Sequence, residues 1–218
     1  HPAMDLLMRN APRLKALPGL PYPAAGDALS AITEAVLDLD HSVLAIQGPP
    51  GSGKTFVGSR VIKELVDKGM KVGVVANSHS AIENLMWACL EAGVSPDAMA
   101  KKSQAGDKEA KGWITPTTNK VAGSWRAGNS GYVFGGTSWS FCAKEMFEDQ
   151  FDYIFIDEAA QFSLVDAIAV SANTKNLVLL GDPRQLTQVV QAIHPGGVDT
   201  SALGHYMGDA AILEPENG

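Results

Sequence analysis

The sequence predicts an α/β fold, a mostly parallel sheet with helices on both faces, and three observations carry that expectation. Short apolar runs alternate along the chain with amphipathic helical periods, the first clear run ends in a glycine-rich turn that opens a helix, and no apolar run is long enough to span a membrane. The 218 residues are 45% hydrophobic and 19% charged, which supplies one sizeable core and too little charge for a disordered chain. Seventeen basic against 24 acidic residues give a net charge of −7. That excludes a uniformly basic nucleic-acid coat while permitting a local basic patch. Cys89 and Cys142 show no CxxC or Cys/His ligand spacing, so neither a disulfide framework nor a zinc site is expected, and a reducing cytoplasm is the expected compartment. Beginning at His1-Pro2 with no signal sequence, the chain reads as a piece of a longer protein.

In chain order, residues 1–25 read as a lead-in. From Asp5 to Pro23 the prolines at 12, 18, 21 and 23 predict extended chain and no long helix. Residues 26–218 read as one domain. Ala28 to Leu39 carries Leu29, Ile32, Val36 and Leu37 near helical spacing, and Val43 to Ile46 is a short buried strand ended by Gly48-Pro49-Pro50. Thr55 to Lys68 places Val57, Val61, Ile62, Leu65 and Val66 on one helical face, and Lys71 to Ala76 is the next strand. Ser80-Ala81-Ile82-Glu83 has the form of a capping box ahead of a helix through Leu90. Strands are expected at Tyr132–Phe134, Tyr153–Ile156 and Asn176–Leu180, and a helix capped by Ser163 from Leu164 to Ser171. Lys101 to Arg126, with six basic and two acidic residues and Trp113 and Trp125, reads as a basic insertion outside the core. It would be either a stacking and phosphate-contacting arm for nucleic acid or a solvated loop with two packed indoles. Trp139, at a helix start, is expected to pack as core rather than stack on a base. His79, His194 and His205 lack metal-ligand spacing and are expected at the surface.

Gly48-Pro49-Pro50-Gly51-Ser52-Gly53-Lys54-Thr55 matches the phosphate-loop pattern GxxxxGK[ST] and lies between a predicted strand and a predicted helix, the context that pattern requires. Glycines let successive main-chain N–H groups turn inward around a phosphate, the helix start adds its positive dipole end, and Lys54 supplies a point charge for the β- and γ-phosphates. The Thr55 hydroxyl would face Mg²⁺. Asp157 and Glu158 follow a buried strand and so emerge at its carboxyl end, the rim where the phosphate loop also lies in an open α/β sheet. Mg²⁺ needs an oxygen ligand beyond Thr55 and the phosphates, which suits Asp157, and hydrolysis needs a base to orient water, which suits Glu158. Leu177 to Leu186 is a strand ending in a polar turn, from which Gln185 would reach a γ-phosphate or its attacking water.

At these residues the sequence resembles a known family. Ile46–Thr55 (IQGPPGSGKT), Ile156–Gln161 (IDEAAQ) and Leu179–Leu186 (LLGDPRQL), in that order, look like motifs I, II and III of superfamily 1B helicases, nearest the nonsense-mediated-decay and Okazaki-nuclease type and bacterial fusions of a RecB-like nuclease to such a helicase. The resemblance runs from about Leu29 to His205 and implies the first RecA-like motor domain, with ATP and Mg²⁺ as cofactors and single-stranded nucleic acid, more readily DNA than RNA, as partner. It also implies that Asn77 and Ser78, and Thr137 and Ser138, occupy the positions of motifs Ia and Ic, which contact the nucleic-acid backbone. Small hydroxyl and amide groups at strand ends suit phosphate contacts that read no bases. The family usually carries a glutamine ahead of the phosphate loop that reads adenine; here Asp27-Ala28-Leu29-Ser30 fills that region. The 33 residues after Gln185 are too few for a second RecA-like domain, so the segment alone is expected to bind nucleotide and hydrolyse it poorly. Two alternatives are a P-loop switch acting on protein and a degenerate module that binds nucleic acid passively. Intact Lys54, Thr55, Asp157 and Glu158 argue against the second.

Overall fold

The structure, a computed structural model, describes residues 1–23, 27–102, 112–185 and 200–208. Within them eight α-helices alternate with six strands: α1 (Pro2–Met8), α2 (Ala28–Asp38), β1 (Val43–Gln47), α3 (Lys54–Asp67), β2 (Lys71–Val75), α4 (His79–Glu91), β3 (Met99–Lys101), α5 (Asn119–Ala127), β4 (Tyr132–Gly136), α6 (Ser138–Phe141), β5 (Phe151–Ile156), α7 (Leu164–Ser171), β6 (Thr174–Gly181) and α8 (Ala202–Met207). The strands form one sheet in the order β1-β6-β5-β2-β4-β3, every neighbouring pair parallel. All six carboxyl ends therefore share one rim.

Strand periodicity sends alternate side chains to opposite faces, and each face has its own core. Ile154, Ile156, Leu177 and Leu179 pack with Leu6 of α1, Phe141 of α6, Val170 of α7 and Leu203 of α8. Tyr153, Phe155, Val178 and Leu180 pack on the other side with Val36 of α2, Ile62 of α3 and Leu85 of α4. Near-continuous apolar strands such as Leu177–Leu180 are what a sheet covered on both faces requires.

Several expectations change in three dimensions. The lead-in begins as a helix: α1 has an N-cap at His1 and Pro2 in its first turn, where the missing N–H is no loss. Leu6 is fully buried, and Asp5, also buried, accepts hydrogen bonds from Arg13 Nη1 (2.6 Å) and Ser42 Oγ (2.8 Å), which tie α1 to the start of β1. The cap of α4 is Ser78, whose Oγ accepts from Ala81 N at 3.1 Å, two residues before the predicted box. The short edge strand β3 was not legible from its three residues.

The basic stretch is not outside the core at its described ends; residues 103–111 lie outside the described residues. Lys101 is buried and pairs with Glu83 at 2.9 Å. Trp113 is buried against Trp87, with ring centroids 4.9 Å apart. Trp125 packs edge-on to Tyr132. Arg126 is fully buried, donating to Tyr132 Oη (2.9 Å) and to the carbonyls of Met146 (3.0 Å) and Asp149, with its guanidinium 3.8 Å from the Phe151 ring centre. Trp139 departs the other way. Because α6 is a single turn with Ser140 and Phe141 facing inward, its indole points out and is 87% exposed.

Candidate functional site

The rim is assembled by register. Gln47 pairs with Gly181, Ile156 with Leu179, and Val75 with both Ile156 and Gly136, so the loops after β1, β6, β5, β2 and β4 follow one another along the carboxyl edge. Main-chain hydrogen bonds extend this order beyond the strands: Gly48 N donates to Gly181 O (3.1 Å), Ala159 N to Leu180 O (2.8 Å) and Asp157 N to Val75 O (2.9 Å).

The first loop is shaped by glycine chemistry. Gly51 and Gly53 hold φ of +76° and +88°, conformations that an L side chain rarely adopts, and a Cβ on Gly48 would lie 2.3 Å from Ser52 Oγ. Ser52 N donates to Pro49 O (3.1 Å) and closes the turn. Gly53 is the N-cap of α3, with Lys54 and Thr55 in its first turn. Lys54 Nζ donates to the carbonyls of Gly48 (2.6 Å) and Pro49 (3.0 Å), which centres its charge on the loop. A glycine-shaped loop, a helix start and one ammonium are the elements of an anion cradle for phosphate.

Asp157 is 8% exposed, and its Oδ1 accepts from Glu158 N at 3.0 Å. Burial pushes its carboxyl up to about 6; the Glu158 amide opposes this, the Glu158 charge adds to it, and the Lys54 ammonium draws it back down. Asp157 thus feels both the loop lysine and its neighbouring glutamate. Glu158 is exposed and holds φ +53°, a left-handed conformation unusual for glutamate. The two carboxyl groups therefore differ sharply in setting. Asp157 is buried within reach of the Lys54 charge, and Glu158 is exposed.

After β6, Asp182 is 5% exposed. Its Oδ1 accepts from Arg184 N (2.9 Å) and its carbonyl from Gln185 N (3.1 Å). This residue was missed as functional: the Asp-Pro pair reads as a strand stop, yet its side chain orders the turn that presents half-buried Gln185. Leu186 and His194 lie outside the described residues.

Farther along the rim, Asn77 donates through Nδ2 to the carbonyl of Gln161, which links the β2 end to the loop after β5. Ser78 Oγ caps α4 and lies 3.1 Å from Ser80 Oγ. Thr137 and Ser138 stand at the β4 end, with exposed Trp139 directly after them. His205 Nε2 lies 3.1 Å from Leu7 O, a packing contact away from this edge. Among the described residues no three His, Cys, Asp or Glu side chains gather as a metal cluster. Thr55 with the buried carboxylate of Asp157 fits Mg²⁺, which takes one or two carboxylates and completes its shell with phosphates and water. Both cysteines are free thiols, and no described helix is long and apolar enough to cross a membrane.

Comparison with known proteins agrees with this geometry. A family profile described as an AAA domain matches residues 28–213. The chain is similar to the DNA replication ATP-dependent helicase/nuclease DNA2 of Saccharomyces cerevisiae, 26% identical over 204 residues that cover 84% of this chain and 13% of that protein. In fold it resembles the UvsW helicase of bacteriophage T4, with a TM-score of 0.51 and 11% identity over 79% of this chain and 58% of that one. It also resembles a nuclease-deletion mutant of the Type ISP restriction-modification enzyme LlaGI in complex with a DNA substrate mimic, with a TM-score of 0.52 and 14% identity over 79% of this chain and 18% of that one. The chain spans only a small part of the yeast relative's length. With the phosphate-loop fold and the family match over most of its length, the chain belongs to the AAA domain family, built on the RecA-like fold of helicase motor domains.

Proposed function

We propose that this chain is the ATP-binding motor domain of an ATP-dependent helicase or translocase that moves on single-stranded nucleic acid, DNA in preference to RNA, in the cytoplasm, with a second RecA-like domain completing the site in cis. One observation carries the reading. The phosphate loop, the Asp157–Glu158 pair and Gln185 follow three strands that are adjacent in space but distant in sequence, β1, β5 and β6. The Gly51–Gly53 amides and Lys54 hold the phosphates, with Gly48, Pro50 and Ser52 shaping the loop around them. Mg²⁺, when bound, neutralises charge on the phosphates, and Thr55 and Asp157 are the residues to hold it. Glu158, exposed and next to the buried Asp157, orients water and takes its proton; Gln185 senses the γ-phosphate. An arginine from outside the segment is worth roughly 10³–10⁵ in rate in related phosphoryl-transfer enzymes, so the segment alone turns over slowly.

The β2 and β4 ends supply the track. Asn77, Ser78, Thr137 and Ser138 offer amide and hydroxyl groups suited to phosphate oxygens, and Trp139 beside them offers an indole face suited to a base. The four basic residues described in the stretch 101–126 give this reading less support, since Lys101 and Arg126 are committed to buried contacts. A switch acting on protein is not favoured: the relatives are helicases, and the exposed indole sits among polar strand ends.

The test is a full-length ATPase assay with and without single-stranded DNA. Turnover should rise with the strand, and binding of the strand should weaken steeply with salt. Lys54→Ala should weaken nucleotide binding on the order of 100-fold, the scale of losing charge-assisted contacts. An ATPase indifferent to DNA and RNA would overturn the translocase reading and restore the switch.

A further inference from the structure

The loop that carries Glu158 is pinned to two neighbours. Ala159, the next residue, donates through N to Leu180 O of β6 (2.8 Å) and accepts at O from Leu203 N of α8 (3.2 Å), while Gln161 N closes the turn on Glu158 O (2.8 Å). α8 reaches the same loop again through Ala202 N to Phe162 O (2.8 Å), and just ahead of the helix Thr200 O accepts from Leu164 N (3.0 Å). Ser201 caps α8, its Oγ accepting from Gly204 N at 3.0 Å. The far end of the helix is fixed as well: buried Tyr206 donates through Oη to Asn10 O at 2.8 Å. This short helix is a strut between the lead-in and the carboxylate loop.

The Leu203 side chain makes a further contact. It is fully buried where the loop after β5 meets the end of β6. A Cβ on Gly181 would lie 2.6 Å from Leu203 Cδ2 and 3.2 Å from Ala160 N, so the leucine, the glycine and the loop backbone are already closely packed.

We infer that Leu203 is a positioning residue for hydrolysis: its N–H and its side chain together hold the loop from which Glu158 projects against the end of β6. The inference rests on the role given to Glu158 above. It adds a residue that performs no chemistry and lies well beyond Gln185 in the chain. The physical reason is the steep dependence of rate on placement, since a shift of about 1 Å in a reacting geometry costs on the order of 100-fold. Glu158 also holds a left-handed backbone, which persists only where its surroundings over-determine it. Leu203 is one of those surroundings. The phosphates, by contrast, are held by the loop after β1, whose shape comes from its own glycines. Loosening Leu203 therefore separates the chemical step from nucleotide binding.

The experiment is single-turnover hydrolysis of ATP by the full-length protein with Mg²⁺ and saturating single-stranded DNA, read beside ATP affinity, so that chemistry is separated from binding and release. Leu203→Ala should slow hydrolysis about tenfold or more, with ATP affinity within about twofold of the parent. Leu203→Met, which conserves volume, should hold the rate within about threefold. Retained ATP affinity reports a folded site; where Leu203→Ala loses it, Leu203→Val takes its place and should slow hydrolysis by about threefold or more. Val170→Ala, a cut in the same core but in the last turn of α7, should leave the rate at the parent's. Because Leu203 acts through Glu158, Leu203→Ala should add less than about twofold to the loss caused by Glu158→Gln. Hydrolysis at the parent rate in a folded Leu203 variant, equal slowing in Val170→Ala, or a further loss of about tenfold in the Glu158→Gln background overturns the positioning role. Hydrolysis at the parent rate in Glu158→Gln alone overturns the reading of Glu158 itself, and is distinguishable from all three.

Discussion

The two halves of the rim hold their functional groups by different means. On the β1-β6-β5 half, position is fixed by the main chain: the loop amides are set by the positive φ of Gly51 and Gly53, Gly48 is bonded to Gly181, and Asp182 orders the Gln185 turn. On the β2-β4 half, the groups are side chains at strand ends, and the most prominent, Trp139, is 87% exposed. A rigid half suits a phosphate geometry that never varies. A half of short polar side chains suits a strand whose sequence changes as it passes. One described side chain, the Asn77 amide bonded to the Gln161 carbonyl, spans the boundary between them.

The largest effect that would sharpen this contrast lies at Glu158. Glu158→Gln in the full-length protein should keep nucleotide and strand binding and lower turnover by about 10²–10⁴, the usual contribution of a positioned general base. Intact single-turnover hydrolysis would remove Glu158 from that role.

Next comes Asp157, where the rigid half bears a stability burden. Its carboxyl is raised from 3.8 to about 6, so the folded state binds that proton more tightly than the unfolded chain does. The stabilisation is full below pH 3.8 and is lost as pH rises through 6, leaving a buried carboxylate at neutrality. Asp157→Asn should therefore match the parent at pH 3.5 and exceed it at pH 7.5 by about 2–3 kcal/mol, from 1.36 kcal/mol per pKa unit. Thermal melts across that range read the difference. A gain independent of pH would mean that ionisation of Asp157 is not the cause.

On the other half, Trp139→Ala should weaken single-strand binding by about 1–3 kcal/mol, the scale of one base stack, without moving nucleotide affinity. Quenching of tryptophan fluorescence by the strand should fall with it. Equal binding of the parent to an abasic strand would count against stacking. The smallest effect is expected at the boundary. Asn77→Ala should cost about 1 kcal/mol in stability, a typical hydrogen bond, and should reduce stimulation of the ATPase by DNA more than it reduces the binding of either ligand. Stimulation preserved in full would make that bond structural only.

Much of the nucleotide half was legible in the sequence because its determinants are local. Glycines at fixed offsets, a strand before and a helix after can be read from neighbouring residues alone, and β1, β5 and β6 emerged within a few residues of their predicted bounds. What could not be read depends on tertiary partners. Lys101 and Arg126 look like solvated basic residues until Glu83, Tyr132 and the Met146 carbonyl enclose them. Trp139 looks like core until a one-turn helix spends its inward direction on Phe141. A cavity beside the phosphate loop joins Leu20 and Pro21 to residues of α2 and β1, a juxtaposition no local pattern encodes.

The φ of +53° at Glu158 has a consequence for anyone seeking a trapped state. Asparagine and aspartate tolerate that backbone better than longer side chains do. Replacement by Asn should therefore remove the proposed water-orienting carboxylate while relaxing the backbone that carries it. Together with Asp157, this makes two successive positions where an amide variant should be more stable than the parent, as expected if both carboxylates serve the proposed chemistry and not the fold.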